Sequence, residues 1–556
     1  MINLQKEKGI FARWNGKCQG PDPNLFHPGV SPGRNAGQIR RRGLAKPPRR
    51  CYRAAMSEIL TLTVDSLAHD GRGIARLPET GQNSKTRGSG TAVFVSGALP
   101  GQIVRARIVR RKARLVEADL LDVLRPAPDA VPALCPHQHV CGGCPLQIMP
   151  YPAQLRWKED LALAALTRIG HLDRDMLTAV LEPPHPSPER TAFRNKMEFA
   201  FGRDAGGNLI LGQRRRGGAG VIAVPGCVLL PAGAQDILAA ARRSAEQSGL
   251  APYAAPLARR GPGRDKMTHA AGSHGFWRFL VLRSGRREDD PAPRWWALCV
   301  TSPGGADGRA AARSLGEELL GGFPDLAAFV HEERQSPDAL AAGERRVLCL
   351  NGSGGEDPQA ALLHLPLGDC LFALDAASFF QVNTRAAQNL ARLAQDMLRQ
   401  TRGGAENGAS LLDLYCGVGA PGQLLAPDYD RLLGLECDKR AVALARRNAE
   451  RGGLIRCRYE AGDAAALLDR LRRERRGPGW DTVLADPPRA GLAPRVLDGL
   501  LALRPQTILY ISCNPATLAR DADGLQTRYS LERLAAVDLF PHTPHLECLS
   551  LWRLKS

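Results

Sequence analysis

No stretch of the 556-residue chain approaches the ~18 consecutive apolar residues that a membrane-spanning helix needs. The N-terminus lacks the apolar core of a secretion signal, so a cytoplasmic location and no membrane partner are expected. Cysteine is sparse: fourteen residues, unevenly spaced, cannot scaffold so long a chain with disulfides, which turns attention to metal binding and catalysis. Acidic residues are in deficit, 56 Asp and Glu against 75 Lys and Arg, for a net charge of +19. Such an excess attracts polyanions by counterion release, making nucleic acid the leading partner, although an Arg-rich genome would give the same charge. Nothing in the sequence points to an obligate protein partner.

The hydrophobic share of 44% and charged share of 24% are those of a globular protein. At roughly 150 residues per domain, the length suggests three or four domains. Residues 1–55 stand apart, rich in Pro, Gly and Arg, without hydrophobic periodicity and carrying about ten net positive charges, so disorder is expected there. Met56 just precedes the first well-patterned strand and is an alternative biological start.

Residues 56–125 read as a small β-barrel resembling an oligonucleotide-binding fold. Short β-like runs at 60–64, 91–95 and 103–109 are separated by Asp70-Gly71-Arg72-Gly73 and a polar loop around 80–90. Arg105, Arg107, Arg110, Arg111, Lys112 and Arg114 would decorate it, a surface suited to tracking phosphates or simply to solvation. Residues 126–372 read as a central α+β domain. It opens with a Cys-rich loop and a helix from Pro152 to about Ile169, with Leu155, Leu161, Ala165, Leu166 and Ile169 mainly on one face. An irregular insertion is expected near 250–295. From 373 to 556, strand-like runs at 411–415, 432–435, 482–485 and 507–511 alternate with helical ones, the pattern of a Rossmann-like parallel sheet in a multidomain α/β chain.

Strand 411–415 runs into Cys416-Gly417-Val418-Gly419, and the next strand ends at Glu436. A glycine turn lets backbone approach a ligand, and an acid at the second strand tip accepts hydrogen bonds from ribose hydroxyls, so the pair suits a nucleoside. Tyr415 belongs to the same strand end. Asp463, after the following strand, is placed either to contact an adenine or to serve as a turn aspartate. Asp486-Pro487-Pro488-Arg489 ends a further strand, its prolines holding Asp486 at the sheet edge where ligands bind. Ser512-Cys513-Asn514-Pro515 ends the next. Cys513 there is positioned for nucleophilic attack, although alone it reads as a buried structural cysteine. Glu547, in Phe540-Pro541-His542-Thr543-Pro544-His545-Leu546-Glu547, is a candidate general base or a surface glutamate.

Cys135, Cys141 and Cys144, in a C-x5-C-G-G-C spacing, place three thiols within ten residues. Close thiols of this kind bind zinc, with His137 or His139 as a further ligand, or an iron–sulfur cluster.

The ordered segments 375–383, 413–419, 486–492, 511–521 and 540–547 together resemble the RNA 5-methyluridine methyltransferases over most of residues 56–556. The resemblance implies a C-terminal class I methyltransferase fold using S-adenosylmethionine. It further implies Cys513 as nucleophile, Glu547 as proton acceptor, and Gln381, Tyr415, Glu436 and Asp486 lining the cofactor and uracil pocket. Cys227 fits the fourth cysteine of family members that carry a [4Fe–4S] cluster with Cys135, Cys141 and Cys144. The barrel resembles a TRAM domain, and barrel plus cluster is similar to enzymes acting on 23S ribosomal RNA. A transfer-RNA or second-site ribosomal enzyme, or a non-catalytic RNA-binding or ribosome-assembly factor, are the competing expectations. The chain departs from the family at Ala420, where a polar residue is usual, so one cofactor hydrogen bond is either missing or supplied elsewhere.

Overall fold

The computed structural model describes residues 58–77, 90–112, 115–217, 220–254, 275–402, 409–474 and 479–556. The expectations for residues 1–55, for a start at Met56 and for most of the 80–90 loop fall outside them. No described helix is long and apolar enough to cross a membrane.

Strands β1 (Ile59–Leu67), β2 (Gly73–Arg76), β3 (Ala92–Ser96), β4 (Ile103–Arg111) and β5 (Leu115–Arg125) close into a barrel in the order β1-β2-β3-β5-β4. Alternation explains the closure: Leu62, Val64, Val93, Val95, Val104, Ala106, Val116 and Ala118 point inward and are buried. Small and β-branched residues fill so narrow an interior. The residues between them face out, but half of the basic side chains singled out in the sequence are already paired. Arg105 meets Asp122, Arg111 meets Glu58 and Lys112 meets Glu117, while Arg114 lies outside the described residues.

The central part is a seven-stranded sheet, β12-β11-β10-β9-β6-β7-β8, antiparallel except where β10 meets β11. It comprises β6 (Lys196–Arg203), β7 (Leu209–Arg214), β8 (Val221–Ile222), β9 (Trp277–Gly285), β10 (Arg294–Thr301), β11 (Leu326–Glu333) and β12 (Arg345–Asn351). The irregular insertion expected near 250–295 is corrected here. Residues 255–274 lie outside the described set, but Trp277–Gly285 is a strand lying between β10 and β6 in the sheet. A strand covered on both faces is continuously apolar rather than alternating, so Phe276-Trp277 and Phe279-Leu280-Val281-Leu282 showed no period to detect. One face packs on the helices Ala234–Gln247 and Gly305–Gly322. The other packs on a hairpin of β13 (Leu362–Leu367) and β14 (Cys370–Asp375), and through it reaches Val418, Leu424 and Leu444 of the C-terminal part.

That part holds β15 (Ser410–Leu414), β16 (Arg431–Glu436), β17 (Cys457–Ala461), β18 (Thr482–Ala485), β19 (Thr507–Ser512), β20 (Tyr529–Val537) and β21 (Glu547–Leu554). They form one sheet in the order β17-β16-β15-β18-β19-β21-β20. Five strands run parallel, and β21 inserts antiparallel between β19 and β20.

The helix predicted from Pro152 spans Tyr151–Arg168 and buries the predicted face, with Leu166 in the core and Ala165 and Ile169 packed against it. Of the five apolar positions expected to face the core only Leu166 is fully buried. The covered side also holds Gln154 and Lys158 at 0% and 1% exposure. Hydropathy cannot signal the burial of polar residues whose partners lie hundreds of residues away.

Gly434 in β16 leaves room for the Tyr459 ring and the Cys416 thiol, and a Cβ there would collide with both. Gly434→Ala is expected to cost about 1–3 kcal/mol by overpacking. Thermal unfolding followed by circular dichroism checks it, and an unchanged melting temperature would contradict this packing.

Candidate functional site

The carboxyl ends of the parallel strands form one edge, and the sheet order decides which residues meet there. Reading across it from β17 through β16, β15, β18 and β19 to β21 brings up Asp463, Glu436, Tyr415, Asp486, Cys513 and Glu547 in that order. Adjacent strands lie about 4.8 Å apart, so six residues scattered over 133 positions become one row.

Turn geometry shapes the half nearest β15. Tyr415, Gly417 and Gly419 have φ of 64°, 53° and 84°, left-handed values that suit glycine and strain tyrosine. The turn folds Gly417 N–H onto Glu436 Oε2 at 3.2 Å, while Asp438 N–H holds Oε1 at 2.9 Å. The glycine turn and the acid are therefore joined, as the sequence suggested. Asp463 Oδ1 accepts from Ala466 N–H at 2.9 Å and caps the next helix. Its role as a turn aspartate is thus filled, and its exposed position leaves the second oxygen at the edge. Ala420 is buried at the first turn of the helix Ala420–Leu425, with Pro421 beside it.

Gln381 lies in the segment between β14 and the helix Thr384–Arg402. That segment is latched to the central sheet: Asn195 donates to Gln381 O at 2.9 Å, and buried Arg283 donates to the carbonyls of Asp375 and Ser378. Phe379, in the same segment, is 77% exposed, unusual for phenylalanine and unmarked in the sequence reading.

The other half of the row rests on strand register. Antiparallel pairing sets Ser512 opposite Cys548, so the next step sets Cys513 opposite Glu547. Directly opposed residues of this kind have Cβ atoms about 4.5–5.5 Å apart in a regular ladder. Glu547 is 3% exposed, and burial together with nearby Asp486 pushes its carboxyl well above the usual range. Asp486 is raised to about 7 by burial. The Cys513 thiol is pushed up to about 12 by burial and then by Glu547, with Arg489 acting the other way. The thiol is therefore held protonated at neutral pH. Burial leads, and the two acids add to it against one arginine.

Arg489 and Asn514 escaped the sequence reading as site residues, although both stand inside quoted motifs. Asn514 caps the helix Pro515–Leu525 and, with Thr517, donates to Arg489 O, tying the two motif loops together. Of the two histidines, His542 spends its groups on structure: its ring Nε2 meets Arg190 O at 3.1 Å and its backbone N–H donates to Gln154. Burial and neighbouring cations lower His545 to about 4, so its ring is neutral.

The four cysteines singled out lie together. Cys135, Cys141, Cys144 and Cys227 line one pocket with Met197, Val224 and Leu229. Burial raises Cys144 to about 12, and Arg194 and Arg216 are the cations facing the group. His137 turns its ring to Pro225 O, His139 is exposed, and neither lines the pocket. Among the described residues no three His, Cys, Asp or Glu side chains stand at metal-binding separation, so the thiols share a pocket without converging on one point.

A sheet of this order, with its inserted antiparallel strand, glycine turn and acidic second strand tip, defines a class I, Rossmann-like methyltransferase. Residues 368–554 match the tRNA (uracil-5-)-methyltransferase model and residues 57–121 the TRAM domain. An RNA methyltransferase of Nitratidesulfovibrio vulgaris is 37% identical over 88% of this chain and 95% of that protein. One of Gloeobacter violaceus is 31% identical over 89% and 96%. The Pyrococcus abyssi tRNA (uracil-54, C5)-methyltransferase, solved with S-adenosyl-L-homocysteine, is similar in fold. Its TM-score is 0.61 at 24% identity, covering 89% of this chain and 100% of that one. The chain belongs to the RNA (uracil-5-)-methyltransferase family.

A thiol near 12 has a testable signature. Alkylation of Cys513 by iodoacetamide, followed by peptide mass spectrometry, should accelerate about tenfold per pH unit between about pH 7 and 10. Asp486→Asn should accelerate it further, and a rate flat with pH would mean that the thiolate is already formed.

Proposed function

We propose that the chain methylates carbon 5 of uracil in 23S ribosomal RNA, with S-adenosylmethionine as donor, through a covalent adduct at Cys513. What carries this reading is the register that ends on Ser512 opposite Cys548 and so brings Cys513 beside Glu547, at the edge that also holds the glycine turn. S-adenosylmethionine, when bound, supplies an electrophilic methyl group on a sulfonium cation that favours the ionised form of every acid facing it. Glu436, Tyr415, Gln381 and Asp463 are the residues to hold it, and Asp486 lies between them and the thiol.

Carbon 5 of uracil is a weak nucleophile, so the reaction needs electron density delivered through carbon 6. Asp486, half-ionised at neutral pH, takes the thiol proton as the Cys513 sulfur bonds to carbon 6. The ring electrons gather as an enolate whose carbon 5 takes the methyl group. Burial and Asp486 raise the Glu547 carboxyl, and the sulfonium cation favours its ionised form, its proton leaving to solvent. The Glu547 carboxylate then removes the carbon 5 proton. Its electron pair restores the double bond, the carbon–sulfur bond breaks, and Asp486 returns the proton to Cys513. The base must leave its stack to reach such an edge, which favours a loop or opened helix as substrate.

The choice of 23S RNA rests on the barrel and the four-thiol pocket. Thiols that share a pocket without meeting at one point suit the separated irons of a [4Fe–4S] cluster, with Arg194 and Arg216 to offset its negative charge, and a single zinc ion using His137 or His139 fits less well. Transfer RNA is the second reading, favoured by the substrate named for the Pyrococcus abyssi enzyme.

Cys513→Ala should abolish both methyl transfer and the denaturation-resistant adduct with 5-fluorouridine RNA, and full activity would refute the mechanism. Mapping 5-methyluridine in ribosomal and transfer RNA of a strain lacking the gene separates the two substrates. Anaerobically purified protein should carry about four irons per chain with broad visible absorbance. A Cys227→Ser variant should lose both, and iron-free native protein would overturn the cluster.

A further inference from the structure

The segment 538–546, which delivers Glu547 to the edge, contains no helix or strand. Its shape is fixed from outside. Lys158 of the helix Tyr151–Arg168 reaches it across 380 positions of sequence, donating to Asp538 Oδ1 at 2.6 Å and Phe540 O at 3.0 Å. Tyr151 hydroxyl donates to the other Asp538 oxygen at 2.9 Å and accepts from Ser187 N–H. Gln154 accepts from His542 N–H at 2.9 Å while its amide donates to Leu146 O and Met149 O. His542 is held at φ 68°, and its carbonyl accepts from Leu146 N–H at 3.0 Å. Lys158 and Asp538 are each 1% exposed.

A buried ion pair is a poor way to gain stability, because desolvation consumes most of the attraction and an apolar pair of equal volume serves as well or better. What a pair of this kind supplies is direction: Asp538 accepts three bonds, from Lys158, Tyr151 and Phe540 N–H, and only one loop conformation satisfies them all. From these contacts we infer that Lys158, Tyr151 and Asp538 are positioning residues for the proton-removal step, setting the loop that aims Glu547 at carbon 5. The inference rests on the reading of Glu547 as the base. None of the three has a place in the thiol addition or in the nucleoside-binding turn.

The test replaces the pair by apolar residues of similar volume, Lys158→Met with Asp538→Leu, so that no charge is left buried alone. Turnover on uridine RNA should fall at least tenfold with KM within about twofold of the parent. A denaturation-resistant protein–RNA adduct should accumulate on ordinary uridine RNA, as it should in Glu547→Gln, while the 5-fluorouridine adduct still forms. A merely structural role would lower the melting temperature and leave kcat and adduct level at parent values, which overturns the proposal. Tyr151→Phe is the milder variant and decides the matter if the double variant does not fold. A severalfold slower adduct resolution supports the proposal, and parent turnover refutes it. The underlying reading fails separately: Glu547→Gln would then turn over like the parent, whereas Glu547→Gln trapping the adduct beside a fully active double variant removes the positioning role alone.

Discussion

One strand placement governs the chemistry of this protein. The last strand of the chain enters the C-terminal sheet antiparallel, between β19 and β20, and hydrogen bonding across β19 and β21 fixes its register to the residue. Because side chains alternate with a period of two, a slip of one residue would turn Glu547 to the opposite face and away from Cys513. The slip is blocked by burial on both sides of the strand: Leu549, Leu551 and Trp552 are fully covered, and they belong to two different apolar clusters. Packing deep in the sheet thus sets a separation that matters only at its rim.

Charge is distributed against the average of the molecule. A chain with a net charge of +19 gathers Asp413, Asp486 and Glu547 at or beneath one sheet edge, facing one exposed arginine, and all three carboxyls are pushed upward. Burial, seconded by Glu547, keeps the thiol protonated. A resting enzyme of this kind is protected from oxidation of its nucleophile, since the thiolate is the reactive form.

Much of this was legible in the sequence, and the exceptions share a cause. The barrel, the parallel sheet, the glycine turn with Glu436 and the row of strand-end residues follow from alternation, turn chemistry and spacing, all of which are local. Trp277–Gly285 was misread because a doubly covered strand has no period. The burial of Gln154 and Lys158 on the helix Tyr151–Arg168 escaped the sequence because both are polar residues whose partners lie far along the chain. Arg489 stood directly after two prolines at a strand exit, a signal that was available. The protonation state of Cys513 was not available, since it depends on the antiparallel insertion that brings Glu547 alongside.

The helix carrying Lys158 and the loop carrying Asp538 also bear on the order of assembly. Chains are made from the N-terminus at a finite pace, and contacts of long sequence separation form late. Lys158 leaves the ribosome 380 residues before the carboxylate that neutralises it. Until then the helix has an ammonium and an amide on the side that will become interior, so it stays soluble and cannot bury that side against a wrong apolar partner cheaply. The nucleophile and its base are thereby completed only once residues 538–554 have been made, and a truncated product lacking them has neither the loop nor the strand that carry the base.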